Sequence, residues 1–272
     1  MTTASRLDSS HRRWRIVRFG AVDSTNEEAR RRALVGDTDC LWIVAEEQTA
    51  GRGRRGRVWI SPKGNLHASA LMVDPCPRAV AAQLSFVAGV ALARAVKDLG
   101  VTEVGLKWPN DLMSYGAKCA GILIEGFSLG SERTACVVGI GVNCAHAPEA
   151  LGYATACLTR ADGQPVAPGD VFERLVERFD DALDEWRVGQ TFDRIRAAWL
   201  DYAVGLGERI AIQNGAGQRE GIFEGVDAAG RLLMRSEHGL DAIEAADVWL
   251  LPRSRILPRV IPSASHPPDR RA

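Results

Sequence analysis

The chain is poor in the features that mark secreted, fibrous or membrane proteins. Its six cysteines in 272 residues (Cys40, Cys76, Cys119, Cys136, Cys144 and Cys157) contain no C-x-x-C pair, which argues against a structural zinc site or a disulfide framework. They read as reduced core thiols of a cytoplasmic protein. Long apolar runs are missing as well. The most extended, residues 84–93, stops at Arg94, well short of the roughly 20 residues a bilayer span requires. Arg6, Arg12, Arg13 and Arg15 near the start have no apolar run behind them, so no secretory signal is read. Net charge is absent too: 34 Lys and Arg balance 34 Asp and Glu. A dedicated nucleic-acid binder usually carries a basic excess, so any positive site here has to be local. What remains, 46% apolar and 25% charged, is ordinary globular composition, sufficient for one large domain or a large plus a small one.

No internal repeat is visible, and low complexity is confined to the ends. Residues 23–36 read as a helix start, with Ser24 and Glu27 at capping-box spacing and Ala29, Ala33 and Leu34 as an apolar face before Gly36. Short apolar runs at 41–45 and 66–73 predict strands. Residues 78–99 form the strongest helical pattern, closed by Gly100. Three further strands are expected at 104–108, 120–125 and 134–142, their continuous apolar character suggesting a sheet covered on at least one face. Helices at 168–188 and 192–202 follow. From Glu208 the texture changes to short alternating strands at 209–213, 221–226, 232–235 and 242–250, separated by turn signals at Asn214-Gly215 and Ala229-Gly230. That division predicts an N-terminal extension (1–15), an α/β main domain (16–205), a small all-β domain (206–251) and a Pro-, Ser- and Arg-rich disordered tail (252–272).

The most informative segment is Gly51-Arg52-Gly53-Arg54-Arg55-Gly56-Arg57-Val58-Trp59. Its glycines match the dinucleotide pattern G-x-G-x-x-G, but that fingerprint needs a helix to begin within it. Here Val58, Ile60 and Pro62 follow instead. A Walker loop is excluded, because no Lys-Ser or Lys-Thr pair follows the last glycine. Four guanidiniums with no acid between them repel one another within about a Debye length. Such a loop is expected to stay loose until an anion arrives, when each charge-assisted hydrogen bond contributes roughly 1.5–3 kcal/mol. A solvated basic loop or an Arg-Gly RNA contact is the bland alternative. Beside it, Lys107-Trp108-Pro109-Asn110-Asp111 leaves one strand, Lys118 and Gly121 enter the next, and Gly139-Ile140-Gly141-Val142-Asn143 ends a third. Taken together these strand ends describe a pocket for a ligand bearing carboxylate and phosphate groups.

In order, Asp23 to Asn26, Gln48 to Arg57 with Trp59, Lys107 to Leu112, Lys118 with Gly121 to Glu125, and Gly139 to Asn143 resemble the successive motifs of biotin protein ligases, across nearly the whole chain. The resemblance implies an α/β (α+β) catalytic domain of the biotin/lipoate ligase type, related to class II aminoacyl-tRNA synthetases, with a C-terminal SH3-like β domain. It implies formation of biotinyl-5′-AMP from biotin and ATP, with Mg2+, and transfer of biotin to one lysine of a biotin carboxyl carrier protein or carrier domain. It assigns Arg54 and Lys118 to catalysis. Ser24, Thr25, Asn26, Gln48, Arg52, Gly53, Arg54, Lys118 and Gly121 would hold biotin. Arg52, Arg55, Arg57, Trp59, Asn110, Asp111 and Asn143 would hold ATP and the adenylate. Ser24 and Thr25 also suit a helix cap, Trp59 also suits core packing, and Asp111 suits either a turn or a magnesium network; metal ligands are not assigned. Glu125 and His67 read as structural.

Some relatives are homodimers, and the sequence leaves that state open. A lipoate-protein ligase is the alternative within the same fold, although the ureido-binding set Ser24, Thr25 and Gln48 would be superfluous there; an Arg-Gly nucleic-acid module is the alternative outside it. About 15 residues precede the matching region, too few for the helix-turn-helix domain of the family's repressors, so specific operator binding is not expected. A gel-shift titration should accordingly show only weak, salt-sensitive DNA binding. A sequence-specific complex would overturn that expectation.

Overall fold

The computed structural model describes residues 3–8, 13–37, 40–130, 132–149, 151–214 and 217–251. Eight strands form one sheet: β1 (Thr3–Asp8), β2 (Arg13–Val22), β3 (Leu41–Gln48), β4 (Leu66–Val73), β5 (Val104–Lys107), β6 (Asp111–Ser114), β7 (Ala117–Leu129) and β8 (Arg133–Val142), in the order β1-β2-β3-β4-β8-β7-β6-β5. Only the β2–β3 pair is parallel. α1 (Thr25–Leu34) supplies that crossover and covers one face, burying Ala29 and Ala33 against Val17, Ile43, Leu71 and Val137. The other face carries α2 (Leu84–Asp98), α3 (Pro168–Trp186) and α4 (Phe192–Asp201). α3 follows the amphipathic rule, with Val171, Phe172, Leu175, Val176, Phe179, Ala182 and Trp186 on its buried stripe. On the sheet, Trp14 and Trp42 meet Phe172 and Phe179 with ring centroids 5.5–6.0 Å apart, within the range aromatic pairs favour. Residues Arg78–Asp98 are long and apolar enough to cross a membrane by composition, yet 67% of that window is buried in this core.

A second, five-stranded antiparallel sheet comprises β9 (Arg209–Asn214), β10 (Gly217–Val226), β11 (Leu232–Ser236), β12 (Gly239–Ile243) and β13 (Asp247–Leu250), in the order β12-β11-β10-β9-β13. It does not stand apart. Ile210, Ile212, Phe223 and Met234 belong to the same apolar cluster as α2 and the large sheet. The Trp108 indole donates to the Gly230 carbonyl at 3.1 Å, between the two sheets. A sheet this small has too little core of its own and draws on its neighbour's.

Several expectations need correction. Of the expected N-terminal extension, residues 3–8 (β1) and the start of β2 form one edge of the large sheet. The signal was the alternation Trp14, Ile16 against Arg15, which buries both apolar side chains completely. The pattern at 78–99 is a 3-10 turn (Arg78–Gln83) leading into α2. The run 242–250 is two strands separated at residues 244–246, and β6 was hidden behind the Pro109 turn. The tail 252–272 lies outside the described residues. The cysteines behave as core thiols: Cys119, Cys136 and Cys144 are buried and unbridged, and burial pushes Cys119 and Cys144 up to about 12 and Cys136 up to about 11.

Gly230 has φ +84°, and a Cβ there would sit 2.8 Å from Phe86 Cε2. Gly230→Ala should therefore cost about 1–3 kcal/mol more than Gly163→Ala, whose φ of +83° is matched but whose surroundings are open. Thermal unfolding of the two variants checks this.

Candidate active site

The end of β3, the turn between β5 and β6, parts of β7, β8 and β13, the start of α1 and the arginine loop enclose a cavity of about 290 Å³. One end is polar but neutral. Ser24 begins α1 in extended conformation and makes no capping hydrogen bond; the expected capping box is not formed, because Glu27 pairs with Arg30 and Arg52 instead. The Ser24 side chain lines the cavity. The backbone N–H and hydroxyl of Thr25 both donate to Gln48 Oε1, at 2.8 and 3.0 Å. Gln48 Nε2 in turn donates to Ser61 Oγ at 2.8 Å. Ser69, in the middle of β4, lies 2.7 Å from Thr25 Oγ1 and donates to Asn26 Oδ1 at 2.6 Å. Asn26 Nδ2 then donates to Glu125 Oε2 at 2.7 Å. Every amide here is held in one orientation by a partner, as a site for a neutral head group requires.

The other end is cationic. Lys107, Arg52, Arg54, Arg57 and Lys118 all line the cavity, with Asn110 and Asp111 among them. Arg54 donates to Asn110 Oδ1 at 3.3 Å, and Asn110 is itself fixed by donation to the Ile122 carbonyl at 2.7 Å. Lys118 Nζ lies 2.6 Å from Asp111 Oδ1 and 5.6 Å from the centre of the Trp59 ring. Burial pushes the Arg54 guanidinium and the Lys107 ammonium below their ordinary pKa values; Asp247 opposes the shift at Arg54, and Asp111 opposes it at Lys107. Desolvated cations of this kind bind an incoming anion more strongly than solvated ones.

The glycines at the strand ends have a steric reason. A Cβ at Gly139 would lie 2.2 Å from Asn26 Oδ1, and one at Gly141 would lie 2.3 Å from Trp59 Nε1. Trp59 is thereby seated against the β8 backbone between the main cavity and a small one, which Asn143, Pro148, Leu151 and Tyr153 help to line. The indole N–H of Trp59 and the Oδ1 of the buried Asn143 are both without a hydrogen-bond partner, which points to a ligand or water that completes them.

The structure thus brings Ser24, Thr25, Asn26, Gln48, Arg52, Gly53, Arg54, Arg57, Trp59, Asn110, Asp111, Lys118 and Gly121 to one cavity. Asn143 reaches only the small cavity behind Trp59. Arg55 does not line the main cavity; with φ +56° it turns to Asp247 of β13. The expectation of a loose, self-repelling loop also fails. Residues 52–58 close into a turn through an Arg52–Val58 bridge, and the loop's charges find carboxylates outside it: Arg52 with Glu27 and Glu125, Arg55 and Arg57 with Asp247. Those acids, with Ser61 and Ser69, are what the sequence reading missed. A serine inside the apolar run of β4 was a legible signal for Ser69; nothing local marked Asp247.

The sequence model of the Biotin/lipoate A/B protein ligase family matches residues 22–143, and that of the Biotin protein ligase C terminal domain matches residues 205–251. A biotin–[acetyl-CoA-carboxylase] ligase of Paracoccus denitrificans is 41% identical over 242 residues, covering 84% of this chain and 97% of the relative. The chain belongs to the biotin protein ligases. A Mycobacterium tuberculosis ligase of the same name is 32% identical, with 86% of this chain and 89% of the relative covered. Among solved structures, the Aquifex aeolicus biotin protein ligase in complex with biotin and ATP superposes with a TM-score of 0.75 at 26% identity, covering 87% of this chain and 99% of that one. In this ligase the first matched region contains the cavity's lining residues from Ser24 to Gly141, and the second contains Asp247.

The close approaches at Gly139 and Gly141 set an expected outcome. Gly139→Ala and Gly141→Ala should each lower ligase activity at least about tenfold by displacing Asn26 or Trp59. Gly126→Ala, whose Cβ would meet nothing nearer than 3.9 Å, should not. Activity measured beside thermal stability for the three variants checks this.

Proposed function

We propose that this ligase activates biotin with MgATP and passes it to a lysine of a biotin carboxyl carrier domain. One observation carries the reading: a single cavity has a fixed, neutral hydrogen-bonding end at Thr25, Asn26 and Gln48 and a desolvated cationic end at Arg54, Lys107 and Lys118. Biotin has the matching polarity, a neutral ureido head and a carboxylate at the far end of an apolar chain. In this reading Ser24, Thr25, Asn26 and Gln48 receive the ureido group, with Gly121 alongside the chain. Arg52, the Gly53 backbone, Arg54 and Lys118 receive the carboxylate. Arg57, Asn110 and Asp111 lie on the phosphate side, the Trp59 ring stacks on the adenine, and Asn143, behind Trp59, is an adenylate-side contact. That the Aquifex relative was solved with biotin and ATP supports the assignment.

A carboxylate oxygen of biotin attacks the α-phosphorus of ATP, the α–β bridging P–O bond breaks, and pyrophosphate leaves with that electron pair. Two anions must approach for this, so the work of Arg54 and Lys118 is to neutralise both and hold them in line. Among the described residues no three His, Cys, Asp or Glu side chains gather as a metal cage; magnesium is accordingly taken as part of the MgATP substrate, near Asp111. In the second half-reaction the neutral ε-amine of the acceptor lysine attacks the acyl carbon, the C–O bond to phosphate breaks, AMP departs and a proton is released. No serine or histidine nucleophile is called for, because the mixed anhydride is already activated. The acceptor follows from the carboxylase named for the Paracoccus relative, and the unbridged thiols suit the cytoplasm.

Pyrophosphate release should depend on biotin and not on lipoate or RNA; release with lipoate alone would replace this reading. Arg54→Ala and Lys118→Ala should each lower adenylate formation by about 10²–10³-fold, the cost of removing a preorganised donor to a developing charge, with melting temperatures little changed. Parallel loss of folding and activity would make the two residues structural.

A further inference from the structure

The arginine loop is closed from the second sheet. Asp247, at the start of β13, accepts from Arg57 at 2.6 Å and from Arg55 at 2.9 Å, and its side chain is only 22% exposed. Arg55 lies off the cavity, in a left-handed turn with φ +56°; its ion pair with Asp247 is therefore turned away from any substrate in the cavity. Asp247 itself lines the cavity beside Arg54 and Arg57. Plain adhesion between the two sheets does not account for this carboxylate. That contact is already made by the shared core and by Trp108 on Gly230, and partly exposed ion pairs add little to such a contact.

We propose that Asp247 is a positioning residue of the active-site loop: by holding Arg55 and Arg57 it keeps the turn at residues 52–58 closed and Arg54 aimed into the cavity. The proposal rests on the assignment of Arg54 made above. It makes the small β domain part of the catalytic apparatus, acting through the loop without touching the reacting atoms.

The full-length protein tests it through Asp247→Ala, Asp247→Glu and Arg55→Ala. Each pair is worth up to about fivefold, so Asp247→Ala should lower kcat/KM for MgATP in adenylate formation by about tenfold, chiefly through KM, with little change in melting temperature. Asp247→Glu should recover most of the loss. Arg55→Ala should reproduce part of it, and the Asp247→Ala/Arg55→Ala double variant should fall no further than Asp247→Ala. Substrate-free Asp247→Ala should also be cut faster by trypsin after Arg54, Arg55 or Arg57, a readout that needs no activity. If wild-type protein makes no biotinyl adenylate, the functional reading fails while the trypsin comparison still decides the latch. Unchanged cleavage with unchanged KM, tighter nucleotide binding by Asp247→Ala, or a fall in stability that matches the fall in activity would each overturn the proposal.

Discussion

Like charges repel, and this molecule has to hold five cations around one cavity before any anion enters it. At a few ångströms and an effective dielectric of about 20, each pair of guanidiniums would repel by several kcal/mol. The solution is to take counter-charges from remote parts of the chain. Glu27 comes from α1, Glu125 from β7, Asp111 from β6 and Asp247 from β13. Each carboxylate sits beside a cation without filling the cavity. The cations are in this way held in position yet remain accessible, the preorganised condition under which positive charge favours a developing anion over water.

The fold supplies that arrangement through its sheet order. Placing β8 between β4 and β7 brings Ser69, Gly139 and Gly141 alongside Glu125 and Gly121, so neutral and charged ends grow from adjacent strands. The two strand-end glycines are vacant volumes into which Asn26 and Trp59 fit. A polar site can sit on an apolar sheet at low cost only when its amides satisfy one another, and the chain Ser61–Gln48–Thr25 and Ser69–Asn26–Glu125 does so.

Most of this was legible from pattern. The main strands and helices followed from apolar periodicity, and the residues that line the cavity followed from glycine-spaced polar strand ends and their resemblance to a known family. What was not legible shares one physical cause: it depends on pairing distant in sequence. The loop looked loose because its charges were counted in isolation, and the acids that restrain it lie up to about 190 residues away. The capping box had the right residues, but Glu27 gains more from two guanidiniums than from a helix N–H. β1 was invisible because an edge strand needs only a partner, and residues 3–8 carry little apolar pattern of their own. Arg55 carried the same letter as its neighbours; its left-handed backbone, not its chemistry, turns it away.

The shared core between the two sheets gives the loop latch its meaning. Were the β domain tethered flexibly, Asp247 would offer the loop no more than a mobile counter-ion, and the entropy of docking would cancel most of the attraction. Instead β9 and β10 bury Ile210, Ile212 and Phe223 in the main core, and Trp108, one residue beyond β5, reaches Gly230. Asp247 therefore approaches Arg55 and Arg57 from a rigid base whose ordering is already met by folding. A weak ion pair on a rigid support can restrain a short loop effectively, because only the loop has entropy left to lose. The same reasoning explains why a turn containing two glycines can be closed at all: freedom that would leave it open in isolation is what allows Arg55 to swing outward while Arg54 stays within.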